Sequence, residues 1–114
     1  VHGSPTSINE YLPFDSETAK KHLHEIKEDV LVCAHTHIPG LYEIDNKLLI
    51  NSGSVGKPKN GSPAATYTLI DIEYSGKITD KVVQVEYDYL KTAKDMEMRN
   101  FPAKLISSIK TGVE

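Results

Sequence analysis

The chain has 114 residues, a formal net charge of -3, one cysteine, no tryptophan and 39% hydrophobic residues, the composition of one ordinary soluble domain. Its longest unbroken apolar run, Val30-Leu31-Val32-Cys33-Ala34, covers five residues, against the roughly 20 a membrane-spanning helix needs, and no charged-then-apolar leader opens it. Cys33 alone excludes an internal disulfide and fits a reducing cytoplasm, and the mild acidity argues against a general nucleic-acid or anionic-membrane binder.

Residues 1–14 read as loop, punctuated by Gly3, Pro5 and Pro13. Asp15-Ser16-Glu17 then offers a helix start: Asp15 or Ser16 can cap free N–H groups, and Glu17 suits the positive end of the helix dipole. Ala19, Leu23 and Ile26 recur on one face, so a helix is predicted over 16–28. His22 and His24 lie two apart on it and are read as surface or partly packed residues. Val30–Ala34 reads as a strand covered on both faces. Leu41–Ile44 and Lys47–Ile50 flank Asp45-Asn46, residues that tolerate positive φ, and so form a hairpin. Asn51–Pro63, with three Gly and two Pro, is a loop. Thr66–Tyr74 and Lys77–Tyr87 alternate around Ser75-Gly76 as a second hairpin. Two short helices are predicted over 88–100 and 102–110. Pro102 falls near the first helical position, and Leu105, Ile106 and Ile109 form an apolar face.

The sharpest chemical signal is Cys33-Ala34-His35-Thr36-His37-Ile38-Pro39-Gly40. Two histidines follow the C-terminal end of a strand, the edge where α/β proteins build ligand sites. Because the backbone leaves the sheet there, the two rings can splay onto two adjacent metals, and neutral imidazole is a common metal ligand. The plainer reading is a pair of surface-loop histidines. His2-Gly3 could aim a third imidazole at the same edge, giving a partial site for Zn, Mn, Fe or Ni; hydrolytic sites usually add carboxylates. Asn51-Ser52-Gly53-Ser54-Val55-Gly56-Lys57-Pro58-Lys59 is the third signal. Its small residues let backbone approach a ligand, its N–H groups could cradle an anion, and Lys57 and Lys59 add positive charge. A surface loop with two solvated lysines is the plainer alternative. Cys33 is expected to pack as a small apolar group. No nucleophile elbow and no phosphate-binding P-loop occurs.

In order and spacing, Val1-His2-Gly3-Ser4-Pro5, then Val30 to Pro39, then Ile50 to Gly56 resemble the C-terminal half of a calcineurin-like metallophosphoesterase, nearest the small prokaryotic phosphodiesterases and diadenosine-tetraphosphatase-like enzymes. The resemblance implies an α/β fold: part of a four-layer α/β/β/α sandwich, here mainly one mixed sheet with flanking helices. Residues 1–87 would be the C-terminal half of the domain and 88–114 its C-terminal helical segment. Two divalent metals are implied, manganese first, with zinc, iron and nickel as alternatives. His2 and His35 match ligands of the second metal, and His37 matches a ligand of the first. No catalytic side chain is expected here, because the family's nucleophile is a metal-bound hydroxide. Asn51, Ser52, Gly53, Ser54 and Lys57 are the candidate substrate-binding residues.

Ala34 stands where the family usually has Gly, and Ser52 where Pro is common. The family's earlier Asp-x-His, Gly-Asp and Asn-His motifs are absent from these residues. The chain is therefore expected to be inactive until joined to an N-terminal half of the same domain, and then to hydrolyse a phosphoester or nucleotide substrate in the cytoplasm. Homo-oligomerisation is left open. The alternative from another class is a non-enzymatic, protein-binding scaffold of the same fold, as in the retromer subunit of the superfamily.

Overall fold

The first helix shows how local chemistry sets the element ends. In the computed structural model, which describes residues 1–114, α1 spans Glu17–Glu25. Ser16 precedes it in extended backbone, and its hydroxyl accepts the Ala19 N–H at 3.1 Å. Ala19, His22 and Leu23 form its buried face. The helix ends short of the predicted 28. Ile26 turns to extended backbone, its N–H donates to the His22 carbonyl, and its own carbonyl accepts from Lys47 Nζ.

Strand β1 (Val30–Cys33) follows, then β2 (Gly40–Ile44) and β3 (Lys47–Asn51). Asp45 and Asn46 take φ of 50° and 63°, and this two-residue turn closes the β2–β3 hairpin with Ile44 opposite Lys47. β3 also pairs in parallel with β1, setting Val30 beside Leu48 and Cys33 beside Asn51. The sheet is therefore mixed, in the order β1-β3-β2. Leu12, Ala19, Leu23, Leu31, Cys33 and Leu49 form the core between this sheet and α1.

The reading of β1 as covered on both faces is corrected. Leu31 and Cys33 are buried, but Val32 between them is 38% exposed. Successive strand residues point to opposite faces, and α1 covers only one of them.

β4 (Ala65–Ile72) and β5 (Ile78–Val85) form a separate two-stranded antiparallel ribbon. α2 (Tyr89–Met98) starts at Asp88, whose carboxylate accepts the Lys91 N–H at 3.0 Å. α3 (Ala103–Thr111) starts one residue later than predicted. Pro102 stays extended at ψ 134° as the residue before the helix, and its carbonyl accepts the Leu105 and Ile106 N–H groups. Gly112 ends α3 at φ 67°, where a side chain would collide with the Ser62 backbone at 2.1 Å. Its carbonyl accepts the Gly61 N–H at 2.9 Å, docking the end of α3 on the loop after β3. No helix is long and apolar enough to cross a membrane.

Leu49 is fully buried and Val32 is not. Urea denaturation should therefore show Leu49→Ala losing about 2–5 kcal/mol, and Val32→Ala less than about 1 kcal/mol.

Candidate functional site

Beyond Cys33 the chain leaves the sheet in a tight turn. The Thr36 N–H donates to the Ala34 carbonyl at 2.6 Å, with His35 between them at φ 60° and His37 at φ 62°. Left-handed backbone at a residue other than glycine costs about 1–3 kcal/mol and persists only where its surroundings impose it. Ala34 is not itself left-handed, so its methyl brings no backbone strain there.

Asn51 imposes the turn. It ends β3 directly beside Cys33 and is fully buried. Its Nδ2 donates to the Ala34 carbonyl at 2.5 Å and to Thr36 Oγ1 at 2.9 Å, while its Oδ1 accepts the Gly53 N–H at 3.0 Å. On the other flank the Ala34 N–H donates to the His2 carbonyl at 2.8 Å, which brings the first residues alongside the end of β1.

The three histidines line one cavity of about 320 Å³, together with Ser52, Gly53 and Ser54. His2 Nε2 and His35 Nδ1 are 2.9 Å apart, with the rings edge to face. Two nitrogens on one ion at 2.0–2.1 Å would be about 3.0–3.4 Å apart, so this pair needs little movement to share a cation. Tyr11 lies against the His35 ring at 4.2 Å between centroids. His37 turns the other way. A carbonyl can only accept, so the 2.6 Å contact from His37 Nδ1 to the Lys57 carbonyl puts the proton on Nδ1 and leaves Nε2 as a free donor atom. That backbone contact is the usual orienting partner of a ligating histidine. The set is nevertheless incomplete. No three His, Cys, Asp or Glu side chains come close enough together to hold an ion, and no acidic residue lines the cavity. The donors present fit part of a coordination sphere.

Asn51 is fully buried, and its amide makes its hydrogen bonds inside the protein. Most of the loop's backbone N–H groups are used within the protein. The Ser52 N–H donates to the Cys33 carbonyl, that of Gly53 to Asn51, that of Ser54 to Thr66 Oγ1, and those of Gly56 and Lys57 to Ser54 Oγ. Gly53 is required at φ 80°, where a side chain would meet Thr66 Oγ1 at 2.1 Å. Both lysines face Glu114. Lys59 Nζ is 2.7 Å from Glu114 and Lys57 Nζ is 3.9 Å from it, and neither side chain lines the histidine cavity. The hydrogen bond between Lys59 and Glu114 raises the lysine and lowers the carboxyl from their ordinary values.

His22, read as a surface or partly packed residue, is buried. Its Nε2 lies 2.8 Å from Glu10 Oε2, tying residues 1–14 to α1. His24 is exposed, beside Asp45. Ser4, and after it His22, hold the Glu10 carboxyl below the usual glutamate value. Tyr11 and Glu10 carry no motif, so nothing in the sequence marks them as neighbours of His35 and His22.

The family model of the calcineurin-like phosphoesterase superfamily domain matches residues 1–75, the N-terminal part of this chain. An uncharacterized protein of Methanocaldococcus jannaschii is 33% identical over 89 residues, which cover 65% of this chain and 35% of that protein. A metallophosphoesterase from Sphaerobacter thermophilus superposes with a TM-score of 0.79 at 26% identity, over 99% of this chain and 54% of that one. A hypothetical protein from Pyrococcus horikoshii shares the fold, with a TM-score of 0.79 at 21% identity, over 100% of this chain and 46% of that one. The mixed sheet and flanking helices thus match the metallophosphoesterase fold, and the chain spans about half the length of these two structures.

Removing the Asn51 amide strands buried partners. Asn51→Ala should cost about 1–3 kcal/mol in denaturant titration and shift the His35 and His37 amide resonances. Glu10 titrates in the folded state below its ordinary 4.5, so its ionised form stabilises the fold above that pH, and this contribution is lost as pH falls through the folded value. Melting temperatures from pH 6 to 3 should fall less steeply below pH 4.5 in Glu10→Gln than in the parent.

Proposed function

Because this chain belongs to the calcineurin-like phosphoesterase superfamily, we propose that it supplies the histidine side of a metal-dependent phosphoesterase site. The observation that carries this reading is the 2.9 Å approach of His2 and His35 in the cavity that His37 also lines. His2 and His35 would hold one divalent cation, and His37 a second through its Nε2. Such ions supply Lewis acidity, activating water and offsetting charge at phosphorus during in-line hydrolysis of a phosphodiester or phosphomonoester. Manganese is the first choice, with zinc, iron and nickel as alternatives.

The chain's own residues do the positioning. The Lys57 carbonyl sets the His37 tautomer, and Asn51 holds the turn that carries His35 and His37. Ser52, Gly53 and Ser54 shape the cavity wall rather than bind phosphate through their amides. No carboxylate lines the cavity, so the acidic ligands are proposed to come from residues outside these 114, in an N-terminal half of the same domain. The second reading is a protein-binding scaffold that has kept the fold.

The complete protein, supplied with Mn, should hydrolyse bis(p-nitrophenyl) phosphate. His35→Ala and His37→Ala should each lower the rate by more than the roughly 10–100-fold that loss of an outer-shell partner costs. Full activity in both variants overturns the metal-site reading, and no metal-dependent hydrolysis by the parent favours the scaffold.

A further inference from the structure

The left-handed turn fixes where the His35 side chain starts, but not where its ring points. The last torsion of a histidine side chain is broad, so the imidazole plane needs a constraint from outside. A ligating histidine usually has one, a hydrogen bond on its second ring nitrogen. His37 has it in the Lys57 carbonyl at 2.6 Å. His35 makes one side-chain hydrogen bond, between its Nδ1 and His2, and its other nitrogen has no orienting partner. Its ring meets the Tyr11 ring instead. The two lie 4.2 Å apart between centroids and 36° from parallel, so rotation of the imidazole would have to displace the tyrosine.

Tyr11 is itself placed from both sides. Glu10 before it is held 2.8 Å from His22 on α1, and Leu12 after it is buried in the core. From His2 the chain reaches this point by a tight loop, in which the Ser7 carbonyl accepts the Ser4 N–H at 2.8 Å and the Glu10 N–H at 3.3 Å. The loop thereby brings His2 and Tyr11 onto the same imidazole, His2 edge to face and Tyr11 at a shallower tilt. Lys59 Nζ lies 5.5 Å from the centre of the Tyr11 ring, within the range of a cation–π contact. Tyr11 is 52% exposed, so burial in the core does not account for its position.

We propose that Tyr11 is a positioning residue, whose ring holds the His35 imidazole edge to face with His2, the arrangement in which the two histidines can share a divalent cation. The consequence for cation binding rests on the phosphoesterase reading, whereas the ring placement does not.

The test uses the complete protein with its histidine rings labelled with nitrogen-15 and carbon-13. Without metal, the parent should show a proton Overhauser contact between the His2 and His35 rings. Tyr11→Leu should lose that contact and Tyr11→Phe should keep it, with the His37 ring resonances unchanged in both. Tyr11→Gln, a second variant without a ring, should behave as Tyr11→Leu, so the result does not depend on how one substitution folds. Calorimetric titration with Mn should then show the two ring-free variants binding about tenfold or more weakly, the scale of losing a ligand's orienting partner, and Tyr11→Phe binding as the parent does. A His2–His35 contact that is missing from the parent, persists in both ring-free variants or is lost in Tyr11→Phe overturns the proposal. So does unchanged Mn affinity in variants that have lost the contact. A parent that binds no Mn counts against the phosphoesterase reading, and the metal-free contact still decides the role of Tyr11.

Discussion

One buried amide connects the sheet to the site. Asn51 is the last residue of β3 and is fully buried, a position that penalises any unpaired polar atom. Its side chain meets that demand by donating to Ala34 and Thr36 and accepting from Gly53. The parallel register that sets Asn51 beside Cys33 puts the amide within reach of the turn. Two left-handed histidines follow within four residues, a local cost that this network offsets. The placement of His35 and His37 is therefore a consequence of strand pairing, transmitted through a single side chain.

The remaining positioning uses contacts distant along the chain. His2 arrives through its carbonyl's bond to the Ala34 N–H, His37 is oriented by the Lys57 carbonyl, and the segment carrying Tyr11 is tied to α1 by Glu10 and His22. Each links residues at least 12 apart. Packing is lopsided around this centre. α1 covers one face of the three-stranded sheet, Val32 points away from it, and β4–β5 stands as a separate ribbon with Tyr67, Leu69 and Ile72 exposed. Two strands alone are marginally stable in water, so that ribbon depends on contacts beyond its own pairing. The two superposed structures are about twice as long as this chain.

Charge works differently at the two ends of the 51–59 loop. At its start the N–H groups of Ser52, Gly53, Ser54 and Lys57 are taken up by Cys33, Asn51, Thr66 and Ser54, so the loop is a braced wall. At its end Lys57 and Lys59 face Glu114, whose carboxylate is held low by the Lys59 hydrogen bond. Composition alone shows two lysines in a glycine-rich loop and so suggests an anion cradle. The acceptor that faces both lysines lies up to 57 residues away, beyond the reach of any local pattern.

What the sequence determined by itself was local. Ser16 at the start of α1, Asp45-Asn46 at the hairpin and the alternation in 66–87 rest on backbone preferences within a few residues, and the elements formed there. The order of His2, His35-x-His37 and the Gly-rich loop sufficed to indicate the family. Tertiary structure decided the rest. It decided that β1 is covered on one face, that His22 is buried against Glu10, that Asn51 braces the histidine turn, and that Lys57 and Lys59 face Glu114. Those outcomes depend on which donor meets which acceptor across long loops, and the pairing is settled only when the sheet, α1 and the end of α3 are in place.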